Sequence, residues 1–78
     1  GKHECHFFNG TQRVRYLHKH FFDRQELAYF DSDRGKYVAV AELAESQVKI
    51  WNQDKDLLRS RKAAVDSFCR HNYRGIEP

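Results

Sequence analysis

The chain has no apolar run of eighteen residues, no run of five like charges, no glycine-rich phosphate loop, no internal repeat and no low-complexity segment. The first absence excludes a transmembrane helix within it. The second removes the usual footprint of a nucleic-acid binder: fourteen Lys and Arg interleave with eleven Asp and Glu for a net charge of +3. Such a balance permits nucleic-acid binding without indicating it. No signal peptide precedes Gly1, and a start just ahead of a strand-like alternation suggests a processed or excised piece. None of Ser32, Ser46, Ser60 and Ser67 sits in a strand–turn–helix elbow, so nucleophilic catalysis has no support. Asp31, Asp33 and Glu42 read as turn and solvated residues rather than paired catalytic carboxylates. An enzyme is not expected.

What is present is a folding composition, with 40% hydrophobic, 32% charged and 14% aromatic residues. A chain of 78 residues is one domain at most, and one this small is marginal without a disulfide, a metal or a partner. Cys5 and Cys69 stand at opposite ends, and Asn9-Gly10-Thr11 is an N-glycosylation acceptor pattern. An even cysteine count beside such an acceptor favours an oxidising compartment, although two cysteines can also be free buried thiols. A bridge between them would stabilise by roughly 4 kcal/mol in the chain-entropy model.

The hydrophobic period changes once along the chain. His3–Phe8 alternates; Asn9-Gly10 is a turn signal; Gln12–Phe22 is rich in β-branched and aromatic residues. Asp23-Arg24, a run over Glu26–Asp31, the turn cluster Asp31–Gly35 and a short strand at Lys36–Val40 follow. The first half therefore predicts a four-stranded antiparallel meander over 3–40. From about Glu45 the period is helical, over 45–73, with Ser46 able to cap the start and Gly75 and Pro78 ending it. Trp51, Leu58, Val65 and Cys69 fall on one line at 100° per residue and read as a core stripe. Ile50, Leu57, Arg61, Ala64 and Phe68 form a second line of mixed polarity. A bend is expected, with no internal Pro or Gly to mark it. The fold class is α+β, four antiparallel strands followed by one long bent helix. One helix about 10 Å wide cannot cover four strands spanning roughly 15 to 20 Å. Part of the sheet face and its outer edge are left open, and both predict a partner.

His18 and His20 share a strand face, and His3 can join them because Cys5 on its face has to point at the helix to reach Cys69. Three histidines suggest a zinc site, but no carboxylate or cysteine completes a ligand set at a recognisable spacing, so polar residues on a hydrated sheet face are the simpler reading. No metal and no cofactor are expected. Trp51 reads as core, with an indole N–H that needs an acceptor and the freedom to border a ligand. Arg59, Arg61, Lys62 and Arg70 spread around the helix circumference and read mostly as solvated surface.

Taken together, Glu4–Thr11 with Arg13-Val14-Arg15, Phe30–Asp33 with Gly35, Ala39-Val40 with Glu42-Leu43, Trp51-Asn52, Lys55–Leu58, Ala63–Asp66 and Cys69–Tyr73 resemble the first domain of an MHC class II beta chain. The resemblance covers essentially residues 1–78. It implies half of a peptide-binding platform, with a class II alpha chain supplying the other four strands and second helix. It further implies a Cys5–Cys69 disulfide and a glycan on Asn9. Trp51, His71 and Asn72 match residues that hold the backbone of a bound peptide; an extended peptide has one donor and one acceptor per residue to satisfy, and an Asn amide supplies both partners. Leu57, Ser60, Arg61, Ala64 and Phe68 match pocket positions on the helix. His3, Tyr16, His18, His20, Leu27 and Tyr37 match the floor. Gln47 and Ile50 match one end of the groove, Gly75 and Ile76 the other.

Gln47, the segment Ala44-Glu45-Ser46 and Arg74 depart from the family pattern. Many members carry an aspartate where Gln47 stands, paired with an alpha-chain arginine; Gln47 cannot make that pair, which frees the arginine for an acidic peptide side chain. Ala44-Glu45-Ser46 lacks a proline often found there, and Arg74 replaces a residue that is small in several members. The function implied is presentation of antigenic peptide to the T-cell receptor, at the cell surface and on the lumenal side of endosomal and lysosomal membranes, with the membrane reached only through parts outside this chain. Tyr16, His18, His20 and Arg61 would make the central groove basic at low pH, and histidine titration near pH 6.5 would strengthen a preference for acidic peptides in endosomes. Two alternatives are a non-presenting class II-like chaperone or peptide-exchange subunit and a secreted polyanion-binding domain.

Overall fold

The computed structural model describes residues 1–10 and 12–76, the last three without their side chains. Strands β1 (Lys2–Phe8), β2 (Arg13–Phe22), β3 (Gln25–Asp31) and β4 (Lys36–Ala39) form one antiparallel sheet in the order β1-β2-β3-β4. Each neighbour in sequence is a neighbour in space, so the sheet is the meander that the period-two alternation predicts. The β1–β2 turn places Asn9 and Gly10 at φ 54° and 69°, and the β2–β3 turn places Asp23 and Arg24 at 50° and 67°. Paired left-handed residues give the twist that matches the flanking strands.

The two faces of the sheet differ chemically. Cross-strand partners His3–His18, Cys5–Tyr16 and Phe7–Val14, then His18–Phe30 and Phe30–Tyr37, put these aromatic residues and histidines on the helix side. The opposite face carries ion pairs. Arg15 donates from Nε and Nη2 to both carboxylate oxygens of Asp31, at 3.1 and 2.6 Å. Lys19 Nζ lies 3.1 Å from Glu4. Asp31 is fully buried, which corrects its reading as a solvated turn residue. Its second role is to accept the N–H of Asp33 at 2.9 Å, and its pairing with Arg15 holds its pKa below the ordinary carboxylate value.

A short 3₁₀ turn at Glu42–Ala44 leads without a break into α1 (Glu45–Gln53), and the N–H of Glu45 already bonds the Glu42 carbonyl. No side chain caps α1, so Ser46 is not its cap: the preceding turn meets the first free N–H instead. The expected bend falls at Asp54, whose extended backbone (φ −89°, ψ 96°) ends α1. Its carboxylate accepts the Leu57 N–H at 3.0 Å and so caps α2 (Lys55–Ala64). The interruption is a capping residue inside the helical run, not a proline or glycine. After α2 comes a π turn over Val65–Arg70, then α3 (His71–Ile76). Gly75 therefore lies within α3 rather than ending the helix, and Pro78 is outside the described residues.

The core sits between helix and sheet: Val14, Tyr16, Ala28, Phe30, Tyr37, Ala44, Val48 and Cys69 are buried. Trp51, Leu58 and Val65 are half-buried against it, so the stripe lies at the helix–sheet junction with Cys69 its most buried member. Ile50, on the second line, is exposed. The break at Asp54 ends any single angular phase, so the two lines do not run the length of the wall.

Candidate functional site

The open platform face is built on β2. Its alternate residues Tyr16, His18 and His20 point at the helix, and His3 reaches them from β1. The rings of His3 and His18 stack 4.2 Å apart with planes 7° from parallel, and His20 lies 4.4 Å beyond His18. His3 Nδ1 is 2.7 Å from the Tyr16 hydroxyl. The ladder continues from His20 to Trp51 at 5.0 Å and from Trp51 to Tyr37 at 4.7 Å. Three histidines are thus brought together as predicted, but stacked rather than converging on a point. Among the described residues no group of His, Cys, Asp and Glu has a metal-holding arrangement.

Burial and neighbouring charges act on His18 and His20. Burial, followed by the neighbouring His20, Arg61 and His3, pushes the His18 pKa down to about 4. Burial also lowers that of His20, and Arg61 adds to the effect. Each charged imidazole would lose water and meet only cations. For His18 the expectation of a residue that charges in endosomes is therefore corrected: it stays neutral near pH 5, and Arg61 is the permanent cation. Arg61 Nε donates to the Tyr37 hydroxyl at 3.0 Å, which points the guanidinium inward over the sheet.

Leu27 reaches the core from a strand position that alternation would place on the other face. The pairs Phe21–Glu26 and His20–Ala28 leave Leu27 without a partner on β2, marking a β-bulge. Glu26 then lines the underside with Arg15, Leu17, Lys19 and Tyr29, while Leu27 is half-buried against the core.

The wall positions come from all three helices. On α1, Gln47 and Ile50 are exposed and Trp51 is half-buried; on α2, Leu57, Arg61 and Ala64 are half-buried and Ser60 is exposed. The π turn widens the helix by one residue, and both Phe68 and Cys69 face the sheet. Phe68 lies 5.1 Å from His3 and 6.1 Å from Tyr16. Cys69 is bonded to Cys5, with Cα atoms 5.6 Å apart. His71 and Asn72 are exposed on the first turn of α3. Gly75 and Ile76 lie further along α3, and their side chains, with that of Arg74, are outside the described residues. Asn9 is exposed in the β1–β2 turn; Thr11 of its acceptor pattern is outside the described residues.

Asn52 is a site-forming residue that sequence reasoning left aside. Its Oδ1 accepts the Tyr37 N–H at 2.8 Å and its Nδ2 donates to the Tyr37 carbonyl at 3.0 Å. One side chain thereby occupies both outward-facing groups of a β4 residue and closes part of that edge. The outer edge of β1 has no such cover among the described residues. Asn next to the helix Trp was the available signal; what it bonds to lies 15 residues away in sequence.

A sheet whose aromatic face is walled by helix on one side and whose β1 edge stays open is half of a two-chain platform in form. The family model for the class II histocompatibility antigen, beta domain, matches residues 1–77. The chain belongs to this family, which is not a family of enzymes. It is 56% identical over 72 residues to the human HLA class II histocompatibility antigen, DR beta 5 chain, covering 92% of this chain and 27% of the relative. It is 49% identical over 70 residues to the mouse H-2 class II histocompatibility antigen, E-D beta chain, covering 90% and 26%. A canine DLA class II histocompatibility antigen, DR-1 beta chain, is 46% identical over 76 residues, covering 97% and 29%. The chain thus spans under a third of the length of these relatives. Among the described residues no helix is long and apolar enough to cross a membrane.

Proposed function

We propose that this domain is the beta-chain half of a peptide-presenting receptor. It pairs through the open β1 edge with a class II alpha chain, holds an extended peptide over the histidine and aromatic floor, and offers the complex to the T-cell receptor. The carrying observation is the asymmetry of the sheet: β4 is covered by Asn52, β1 is not. A platform built from such a half grows only from β1. Trp51, His71 and Asn72 bond the peptide backbone, the last two from exposed positions on α3. The pocket assignments above apply, and the setting is the cell surface and the lumenal side of endosomal membranes.

Arg61 gives the central pocket a preference for acidic peptide side chains, and this preference needs no histidine protonation. The test is co-expression of the full-length chain with a class II alpha chain, followed by mass spectrometry of co-purifying peptides. Acidic residues enriched at one central anchor, and lost in Arg61→Ala, are expected. A heterodimer that carries no peptide, and is unchanged by Asn72→Ala, would instead favour the non-presenting chaperone.

A further inference from the structure

On the outer flank of the wall, away from the floor, Lys55, Arg59 and Lys62 line a depression of about 250 Å³ with Leu58. Their spacing of four and then three residues puts them on one face of α2. A rise of 1.5 Å per residue strings the three cations over roughly 10 Å. Lys55 and Lys62 have no ion pair among the described residues, and Arg59 has only Asp56 at 3.2 Å, with both side chains well exposed. Such a pair is weak and exchangeable. The β3–β4 turn packs close to Lys62. Gly35, at φ 70°, comes so close that a Cβ there would stand 3.0 Å from Lys62 Cε. Arg61 does not contribute, because it turns inward to Tyr37.

We infer that this flank is a binding site for a sulfated glycosaminoglycan chain, independent of the peptide groove. Charge complementarity supports it: three cations in a row, two of them unpaired, are wasted on a neutral or basic partner and match a linear polyanion. The compartment narrows the class. A chain carrying the Cys5–Cys69 disulfide belongs to an oxidising environment, where sulfated glycans are the abundant polyanions. Contacts of this kind release counterions, so binding weakens steeply with salt.

The test uses the secreted ectodomain containing this chain, purified with whatever chain co-assembles, on immobilised heparin in a salt gradient. Lys55→Gln/Lys62→Gln is compared with Arg24→Gln/Lys49→Gln, a pair of equal charge elsewhere on the surface. The site pair is expected to elute earlier and to reduce the slope of log affinity against log salt by about 2, one per cation removed. The control pair is expected to move neither, and both proteins to keep the parental thermal midpoint. Equal shifts in the two pairs would reduce the effect to net charge and overturn the proposal. So would equal retention on desulfated heparin, or displacement by an oligonucleotide as effective as displacement by heparin.

Discussion

Two of the links that fasten the helical wall to the sheet lie at opposite edges and differ in kind. Over β1 the link is covalent: Cys69 on the π turn is bonded to Cys5. Over β4 it is polar: Asn52 on α1 completes the hydrogen bonding of Tyr37. Between them Asp54 breaks the helix and lets α1 and α2 follow different directions. The covalent end sits beside the open β1 edge; the polar end closes part of the β4 edge. With the pairing proposed above, the β1 edge is left unplugged by its own helix, and the wall there is held through the core instead.

Removing the covalent link should have the largest effect. Cys5→Ser/Cys69→Ser is expected to cost roughly 4 kcal/mol, read as a lower thermal midpoint of the assembled ectodomain. Peptide dissociation should accelerate before the sheet unfolds, because the disulfide holds the turn that carries His71 and Asn72; equal loss of both would break that part of the comparison. Asn52→Ala should cost about 2 kcal/mol by stranding the Tyr37 N–H and carbonyl. Hydrogen exchange should then rise at Tyr37 while the Cys69 end stays protected. If both ends loosen together, the two fastenings are one cooperative unit.

Acid tests the floor between the fastenings. His18 is held neutral to about pH 4 in the fold, whereas an unfolded histidine titrates near 6.5. The unfolded chain binds more protons in that interval, so the contribution is full above pH 6.5 and is lost as pH falls toward 4. Near pH 5 the loss should be roughly 1 to 2 kcal/mol. Urea midpoints at pH 7 and pH 5 should converge in His18→Phe. Asp31 adds nothing to this window: its lowered pKa gives a contribution lost only below the unfolded carboxylate value of about 4. The smallest effect is expected at the hinge, where Asp54→Ala removes a cap for about 1 kcal/mol. Faster exchange confined to the first turn of α2 would check it.

How much was legible follows from whether the cause is local. Alternation in His3–Phe8 and the Asn9-Gly10 turn act over a few residues, so the meander could be read directly. Asp54 has a local signal too, as an N-cap residue ahead of Lys55–Ala64, but a cap inside a continuous helical period carries neither the Pro nor the Gly that usually marks a break. The bulge at Leu27, the burial of Asp31 and the clamp from Asn52 to Tyr37 were not readable, because each depends on a partner strand or helix arriving at a particular register.

The order of strands, the two left-handed turns, the switch from sheet to helix and the family resemblance were all determined by the amino-acid sequence, through short-range periodicity and conformational preference. Tertiary structure alone decided the charge of His18 and the placing of the cations. Burial and the neighbouring His20, Arg61 and His3 keep His18 neutral near pH 5, and arginines and lysines of one helix are divided between groove and flank by the direction each side chain takes. Those outcomes depend on distances across the fold, which no local pattern carries.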